Sequence, residues 1–297
     1  MDGHRHPRAR ELADAVRAGV RGLQVRSAVL IGEGVDNLAY EVNGELVVRF
    51  SEEPDAARRS GLVGAEAGLL AVVAAISPLP VPEPVFTDPG RGCWAYAKLP
   101  GVPLLDLPLP WRLAHAAAVG AVLGTFLAAV HAAPLARMAA FVGPDEVPMA
   151  QWRDEAAGNH TAVIGAIPAD RRWAVEAFLA ASPPDRGGVV VFCHNDLGIE
   201  HVLVAPDSGA VTGVIDWSDA ALTDPARDFG LVYRDLGPAA LAAALTSYPA
   251  GDMAALRERA AFYARCGLLE DLAYGGQTGL SAYTEKSLAA LPWLLSA

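Results

Sequence analysis

The sequence has few of the residues that disulfide frameworks and nucleic-acid binding require. It contains three cysteines, Cys93, Cys193 and Cys266, which lie far apart and form no C-x-x-C pair. An odd and sparse set of cysteines is typical of a reducing compartment. Lysine and arginine number 23 against 34 aspartates and glutamates, so the net charge is −11. Because nucleic-acid binding requires a basic surface, this balance excludes DNA and RNA as expected partners.

Targeting segments and repeats are also missing from the sequence. Residues 1–10 are rich in arginine and histidine, but charged residues follow them instead of the apolar run of a secretory signal. The most hydrophobic stretch, Leu113–Val130, has 18 residues and is interrupted by His115 and two glycines. This length is borderline for a membrane span, so the stretch predicts a buried core helix. We therefore expect a cytoplasmic protein with no membrane partner.

The 297 residues, 53% of them hydrophobic, suffice for one large domain or two modest ones. In the first hundred residues, Leu38–Val42 and Glu45–Phe50 flank Asn43-Gly44, which predicts a β-hairpin. Three further short strands are predicted at Val29–Ile31, Val85-Phe86 and Trp94–Ala97.

A helix is predicted over Ala56–Ile76, where Leu62, Leu69, Leu70 and Val73 form the apolar set. The proline-rich segment Pro78–Pro84 ends this helix.

The remaining two-thirds of the chain are mainly helical, with one β-rich insertion. The pattern predicts helices at Leu113–His131, Gln151–Ile164, Arg171–Leu179 and from Pro238 to Leu295, and strands at Gly188–Cys193, Val202–Val204 and Val211–Trp217. This order indicates an α+β, bilobal fold with a small β-rich lobe, residues 1–99, and a larger helical lobe, residues 100–297. Clefts between lobes are favoured ligand sites.

Two hydrophobic strands of the insertion end in polar turns with a carboxylate at the tip. The first leads into His194-Asn195-Asp196-Leu197 and the second into Ile215-Asp216-Trp217-Ser218-Asp219. We expect adjacent strands to deliver Asp196 and Asp216 to the same place. Phosphoryl transfer uses one carboxylate to orient the attacking hydroxyl and another to hold Mg²⁺. His201 follows Asp196 by five residues, the offset at which the kinase catalytic loop places its metal-binding asparagine.

These residues resemble the aminoglycoside phosphotransferases, antibiotic-resistance kinases with a fold related to protein kinases. The similarity runs from about Ile31 to the C-terminal helices and is greatest to the branch that phosphorylates the 2-double-prime hydroxyl. The resemblance implies that Asp196 is the catalytic base and that His201 and Asp216 are the Mg²⁺ ligands. Because Mg²⁺ prefers oxygen ligands, the role of His201 ranks below those of the two aspartates. His194 and Asp228 are expected to be structural, and Asp228 ties the catalytic loop to the helix behind it.

The resemblance also implies a nucleotide-binding set in the first lobe. Where the family has a lysine paired with a helical glutamate, this chain has Arg49 and Glu66. Arginine keeps the charge but is not a simple substitute for lysine. Gly32 and Gly34 would cover the nucleotide, and main-chain groups of residues such as Tyr96 and Lys98 would bind the purine edge. No G-x-x-x-x-G-K-[ST] sequence is present, so a P-loop mechanism is not expected.

The acidic residues indicate a cationic substrate. Eight carboxylates and two arginines occupy residues 196–235, an excess that attracts a polycation. Among them, Asp219 and Asp235 are the expected substrate contacts, and Asp207 is read as an ordinary surface acid.

We therefore expect a monomeric, cytoplasmic, Mg²⁺-dependent kinase that transfers the γ-phosphoryl group of GTP or ATP to an aminoglycoside hydroxyl and so confers resistance. Two alternatives stay open: a macrolide phosphotransferase, whose apolar pocket Trp152, Trp173 and Trp293 would line, and a non-catalytic kinase-like binding protein. Neither the choice between GTP and ATP nor the modified hydroxyl follows from the sequence.

Overall fold

The computed structural model describes residues 8–34, 37–249 and 251–295. The first seven residues of the basic N-terminal segment lie outside this range. The chain divides into two compact units, residues 1–76 with 80–99, and residues 77–79 with 100–297.

The N-terminal unit is a five-stranded antiparallel sheet with two helices. Its elements are α1 (Ala9–Gly19), β1 (Ala28–Glu33), β2 (Asn37–Val42), β3 (Leu46–Ser51), α2 (Ala56–Ile76), β4 (Pro84–Asp88) and β5 (Cys93–Ala97). The strand order is β1-β2-β3-β5-β4. The predicted hairpin is confirmed, because Asn43 and Gly44 take φ angles of 55° and 76° between β2 and β3, the left-handed pair that a tight hairpin turn requires.

The sheet is covered on both faces. On one face, Leu12 and Val16 of α1 pack against a cluster that includes Tyr40, Val48 and Phe50. No helix was predicted at the position of α1, which has 11 residues. On the other face, α2 buries Val63, Leu69, Leu70, Val72 and Val73. The predicted apolar set is corrected at one position, since Leu62 is 53% exposed and its neighbour Val63 points inward.

The C-terminal unit contains two small antiparallel sheets among helices. Its strands are β6 (Val102–Pro103), β7 (Val191–Cys193), β8 (Val202–Val204), β9 (Val211–Val214) and β10 (Ala221–Thr223). One sheet has the order β6-β8-β9, and β7 pairs with β10 in the other. The helices are α3 (Leu109–His131), α4 (Leu135–Met138), α5 (Met149–Val163), α6 (Ala169–Ala180), α7 (Ala226–Thr246), α8 (Met253–Thr278) and α9 (Ser281–Leu294), and a short 3₁₀ helix spans Leu104–Asp106.

The α3 helix is a core helix, as predicted. A Cβ at Gly120 would lie 2.4 Å from the carbonyl oxygen of Ala240 in α7, and a Cβ at Gly124 would lie 2.1 Å from that of Ala244. The two glycines therefore allow the backbones of α3 and α7 to touch. By length and composition alone, α2 and α3 would each suffice to cross a membrane.

Several predicted boundaries in this unit are wrong. The strand predicted from Gly188 begins only at Val191, because Val189 and Val190 are exposed and unpaired in β7. The strand predicted at Val211–Trp217 ends at Val214, because Asp216 takes a φ of 60°. The helix predicted from Pro238 begins twelve residues earlier, at Ala226, and Gly237 kinks it with a φ of 78°.

Candidate active site

The loop that carries Asp196 leaves β7 and is fixed by a buried carboxylate. Asp228 accepts hydrogen bonds from the main-chain N–H of His194 at 3.0 Å and of Asn195 at 2.7 Å. Asn195 takes a left-handed φ of 71°, a conformation that asparagine tolerates better than most residues. The predicted structural role of Asp228 is thus confirmed.

A third hydrogen bond to Asp228 comes from α3. The Nε2–H of His131 donates to the carboxylate at 2.9 Å, and both side chains are almost wholly buried. Burial opposes the charge of Asp228, but the hydrogen bonds from His131 and from the main-chain N–H of Asn195 hold the pKa of Asp228 below its usual value. An ionised, fully hydrogen-bonded carboxylate therefore anchors the loop.

His194 packs inside the loop, as predicted for a structural residue. Its Nδ1 accepts the main-chain N–H of Asp196 at 3.3 Å, and its Nε2–H donates to the carbonyl of Ile215 at 3.0 Å. Burial lowers the pKa of this imidazole, which agrees with its use of one donor and one acceptor. His194 thereby joins the residue before Asp216 to the loop that holds Asp196.

Asp196, His201 and Asp216 lie together. The Nδ1–H of His201 donates to the main-chain carbonyl of Asp196 at 2.8 Å, and Nδ1 is 3.3 Å from Oδ2 of the same residue. The Nε2 of His201 lies 3.9 Å from Oδ2 of Asp216. Burial disfavours the imidazolium, but the carboxylates of Asp196, Glu200 and Asp216 outweigh it and raise the pKa of His201.

These residues meet by a different route from the one expected. Asp196 follows β7, which pairs with β10, whereas Asp216 follows β9, which pairs with β8. The two strands are therefore not neighbours in one sheet. Instead, His201 immediately precedes β8, and the N–H of Ile215 donates to the carbonyl of His201 at 2.9 Å, so the β8–β9 ladder brings Asp216 to the loop.

The donor set of this group fits a magnesium ion. The carboxylates of Asp196 and Asp216 are both partly exposed and supply the oxygen ligands that Mg²⁺ prefers. Since Nδ1 of His201 donates its proton to a carbonyl, the lone pair of the neutral ring lies on Nε2, which faces Asp216. Of Asp216 and His201, Asp216 is the stronger candidate ligand because it offers oxygen atoms. Nε2 of His201 faces Asp216 and could assist it.

Asp219 lies beside the same loop. Its main-chain carbonyl accepts a hydrogen bond from Nδ2 of Asn195 at 2.9 Å, and its side chain is exposed. The same Nδ2 lies 3.3 Å from Oδ2 of Asp145, which pairs with Arg227 at 2.7 Å. Asp145 was not singled out from the sequence, because 50 residues separate it from Asn195 and no motif contains it.

The structure corrects the expectation for Asp235. This residue is 4% exposed, and its carboxylate accepts hydrogen bonds from Arg234 at 2.7 and 2.9 Å and from the N–H of Ile199 at 3.1 Å. Lys286 of α9 lies 3.5 Å away. Burial opposes ionisation, but Arg234 and Lys286 keep the pKa of Asp235 below its usual range. Asp235 thus holds the loop that carries Asp196 through the N–H of Ile199 and is not placed to bind a substrate.

Glu270, an acid that no sequence motif pointed to, has a pKa that is affected by the charge of Asp196. Glu270 of α8 has its pKa raised, first by burial and then by the negative charges of Asp196 and Glu155, against the opposing effect of Arg234. The residue is nevertheless exposed to solvent. Glu270 lies 74 residues after Asp196 in the sequence, where no spacing rule links the two.

The three tryptophans of the macrolide alternative have different surroundings. The guanidinium carbon of Arg227 lies 4.2 Å from the ring centroid of Trp152. Trp293 donates its N–H to the carbonyl of Tyr233, and Trp173 is 52% exposed.

In the N-terminal unit, Arg49 and Glu66 form the predicted pair. Arg49 on β3 is 9% exposed, and its Nη1 lies 3.6 Å from Oε1 of Glu66 on α2. The indole N–H of Trp94 donates to Oε2 of Glu66 at 2.9 Å, and the guanidinium of Arg49 lies 5.8 Å from the Trp94 ring centroid. The pair is therefore buried and oriented, unlike an ion pair at a surface strand end.

The other residues predicted to bind nucleotide lie on the same sheet. Gly32 belongs to β1, and the N–H of Gly34 donates to the carbonyl of Asn37 at 2.9 Å. Tyr96 on β5 is opposite Val47 of β3. The main-chain N–H of Lys98 donates to the carbonyl of Glu45 at 2.8 Å, and the binding of a purine by main-chain groups of Tyr96 and Lys98 stays a prediction.

Comparison with known proteins identifies the family. Residues 27–263, more than half of the chain, match the phosphotransferase enzyme family. The search of curated proteins finds no match.

Several solved structures share the fold. The GDP complex of wild-type aminoglycoside 2'-phosphotransferase-IIIa is 18% identical with a TM-score of 0.69, covering 96% of this chain and 98% of that chain. The apoenzyme of macrolide 2'-phosphotransferase MphH from Brachybacterium faecium is 24% identical with a TM-score of 0.60, covering 95% and 97%. The streptomycin–ATP–APH(2")-IIa ternary complex is 12% identical with a TM-score of 0.58, covering 94% and 95%. At these identities the likeness concerns the fold, and it confirms the predicted kinase-like α+β class.

Proposed function

Because the chain belongs to the phosphotransferase enzyme family, we propose that it is a Mg²⁺-dependent kinase that transfers the γ-phosphoryl group of GTP or ATP to a hydroxyl of an aminoglycoside. The observation that carries this proposal is the position of His201, which lies within hydrogen-bond or ion-pair distance of both Asp196 and Asp216. A catalytic base beside a metal-binding carboxylate is what phosphoryl transfer requires.

Asp196 acts as the base. Its carboxylate is partly exposed and can accept the proton of the attacking hydroxyl, which it also orients. The main chain around it is fixed by Asp228 and His194, so the carboxylate is held in place before the substrate binds. Such preorganisation avoids the entropic cost of ordering the base during the reaction.

Asp216, assisted by His201, would hold the magnesium ion, which neutralises charge on the nucleotide phosphates when bound. In the N-terminal unit, Arg49 would bind a phosphate oxygen. Glu66 orients its guanidinium, and Trp94 in turn fixes Glu66. Since guanidinium presents its donors as a planar fork, it matches a phosphate group well.

The substrate proposal is supported by the acids close to Asp196. Asp219 lies beside the catalytic loop, and Glu270 has its pKa raised by burial and by the charge of Asp196. Carboxylates held close together are stabilised by bound cations, so a substrate with several ammonium groups is favoured over a neutral one.

Nucleotide consumption by the purified protein tests the proposal. GTP and ATP are each supplied with kanamycin, gentamicin, streptomycin or erythromycin, with and without Mg²⁺, and the products are identified by mass spectrometry. We expect an aminoglycoside that is heavier by one phosphoryl group and no reaction without the metal. Phosphorylation of erythromycin alone would instead support the macrolide alternative. Nucleotide binding without turnover on any acceptor of the panel would support the binding-protein alternative.

A further inference from the structure

The C-terminal unit contains a cavity apart from the carboxylate group of the candidate active site. It has a volume of about 510 Å³ and is lined by parts of α3, the segment before β7 and the first turns of α8. Its apolar walls include Ala128, Val189, Pro225, Met253 and Leu256. This volume falls within the range of about 300–1,000 Å³ typical of small-molecule pockets. We call this space the α3–α8 cavity.

The charged residues of the α3–α8 cavity balance one another. They are two acids, Asp185 and Asp252, and two arginines, Arg186 and Arg259. The guanidinium of Arg259 is held by the buried carboxylate of Asp224, at 2.7 Å from Nε to Oδ2. Asp252 accepts the N–H of Ala255 at the start of α8, and Asp185 and Arg186 are exposed to water. The cavity therefore favours an uncharged ligand.

One wall of the α3–α8 cavity offers an oriented hydrogen-bond acceptor. Tyr248 and His131 both line the cavity, and the hydroxyl of Tyr248 lies 2.9 Å from Nδ1 of His131. In the neutral ring that donates its Nε2–H to Asp228, the lone pair lies on Nδ1, which accepts the proton of the Tyr248 hydroxyl. The phenolic oxygen keeps lone pairs for a ligand, which must then supply an O–H or N–H donor.

The same hydrogen bonds connect the α3–α8 cavity with the catalytic loop. Tyr248 contacts His131, His131 contacts Asp228, and Asp228 holds the N–H groups of His194 and Asn195. Asp196 directly follows Asn195 in the chain. A ligand that donates a hydrogen bond to the Tyr248 hydroxyl thus changes the hydrogen bonding of the loop that positions the proposed base.

We propose that the α3–α8 cavity binds an uncharged, mainly apolar alcohol or phenol, and that binding is transmitted through Tyr248, His131 and Asp228 to the loop that carries Asp196. This site is separate from the nucleotide and antibiotic sites of the proposed function. The apolar walls of the cavity bury the body of the ligand, and the Tyr248 hydroxyl accepts a hydrogen bond from the single donor of the ligand.

The test uses 4-propylphenol as the probe, with 4-propylanisole and 4-propylbenzoate as analogues that lack the donor or add a charge. Titrations followed by ¹H–¹⁵N NMR of the full chain give the affinities. We expect saturable binding of the phenol, at least fivefold weaker binding of both analogues, and shifts of the amide resonances of His194 and Asn195. Tyr248→Phe should weaken phenol binding about fivefold and abolish those two shifts.

A pair of matched glycine variants locates the site. A Cβ added at Gly188, which lines the cavity, or at Gly165, which does not, meets no atom within 4 Å. Both variants should fold, which thermal unfolding checks. Gly188→Trp should weaken phenol binding at least tenfold, whereas Gly165→Trp should change it less than twofold.

Equal affinities in these two variants, or no saturable binding in the parent, would overturn the site. Unchanged amide shifts of His194 and Asn195 on binding would overturn the coupling. Neither readout depends on phosphoryl transfer, so failure of the proposed function leaves both tests valid.

Discussion

Two residues of the candidate active site have a backbone conformation that few side chains adopt. Asn195 and Asp216 have φ angles of 71° and 60°. Outside turns, such left-handed residues cost energy and persist only where surrounding contacts impose them. Here the contacts are the hydrogen bond of the Asn195 N–H with Asp228 and that of the Asp216 carboxylate with Ser218 at 3.0 Å. Asn195 directly precedes the proposed base, and Asp216 is the proposed metal ligand.

Asp196→Asn should fold like the parent and lose activity. The amide has the shape of the carboxylate but cannot accept a proton, so kcat should fall by about 10²–10⁴-fold, the range for a missing general base. Steady-state kinetics with the best acceptor of the panel measures this loss. The melting temperature controls for folding. A folded variant with kcat within threefold of the parent would remove Asp196 from the mechanism.

Asp219→Asn should affect the antibiotic and not the nucleotide. The exposed Asp219 carboxylate lies on the turn whose carbonyl contacts the catalytic loop, where an ammonium group of the substrate could pair with it. Loss of a charge-assisted contact of about 1.5–3 kcal/mol should raise the aminoglycoside KM roughly 10- to 100-fold. The KM for the nucleotide should stay nearly constant.

Asp207→Asn is the matched control for this change. It removes the same charge from an exposed position in the turn between β8 and β9, and both KM values should remain within twofold of the parent. If Asp219→Asn raises the nucleotide KM and leaves the aminoglycoside KM unchanged, Asp219 belongs to the metal site instead.

At the scale of elements, the contact between α3 and α7 depends on glycine. Gly124→Ala would place a Cβ 2.1 Å from the carbonyl oxygen of Ala244, and neither helix backbone can yield without losing its own packing. We expect a loss of unfolding free energy of about 1–3 kcal/mol, the usual cost of overpacking. Urea denaturation measures the loss.

A second glycine-to-alanine change provides the opposite expectation. Gly158 lies inside α5, and an added Cβ there meets no atom within 4 Å. Because alanine is the better helix former, Gly158→Ala should stabilise the protein by roughly 0.5–1 kcal/mol. If Gly124→Ala and Gly158→Ala changed the free energy of unfolding in the same direction, the contact between α3 and α7 would not explain the effect of Gly124→Ala.

At the scale of the whole C-terminal unit, a buried ion cluster joins the catalytic loop to the last three helices. It contains Glu200 of the loop, Arg234 and Asp235 of α7, Asp271 of α8 and Lys286 of α9. Lys286 lies 2.8 Å from Glu200 and 2.9 Å from Asp271. One lysine thus links the segment beside His201 to two helices that are far away in sequence.

The stability of the Asp271→Asn variant relative to that of the parent should increase as pH rises from about 4 to 7. Burial, with the charges of Glu200 and Asp235, raises the pKa of Asp271 to about 6 although Arg234 and Lys286 oppose the shift. The unfolded chain releases this proton near pH 4, roughly the ordinary value. The folded state therefore retains a proton that the unfolded state has lost, and the stability from this group is lost as pH rises through about 6.

Denaturation of parent and variant at pH 4.5, 5.5, 6.5 and 7.5 measures this difference. The unfolding free energy of Asp271→Asn minus that of the parent should increase by on the order of 2 kcal/mol over the series. Asp207→Asn, an exposed acid in the same unit, should show no such trend. A difference that stays constant with pH would contradict the raised pKa.

Much of the fold and the centre of the candidate site could be predicted because they depend on neighbours in sequence. The Asn43-Gly44 turn, the helix Ala56–Ile76 and the apolar length of α3 follow from local conformational preference and periodicity. The pairing of Arg49 with Glu66 followed from the family resemblance, and the structure places the two within 3.6 Å. The spacing of Asp196, His201 and Asp216 also identified the residues that the fold brings together.

What only the tertiary structure decided is which polar residues are buried and paired. Asp235 stands in the acid-rich segment like Asp219, yet Arg234 and Lys286 hold it inside the protein, whereas Asp219 is exposed. The route by which Asp216 reaches Asp196, and the α3–α8 cavity, arise from strand pairing and helix packing between distant segments. Burial and long-range pairing depend on the whole chain at once, so no local pattern encodes them.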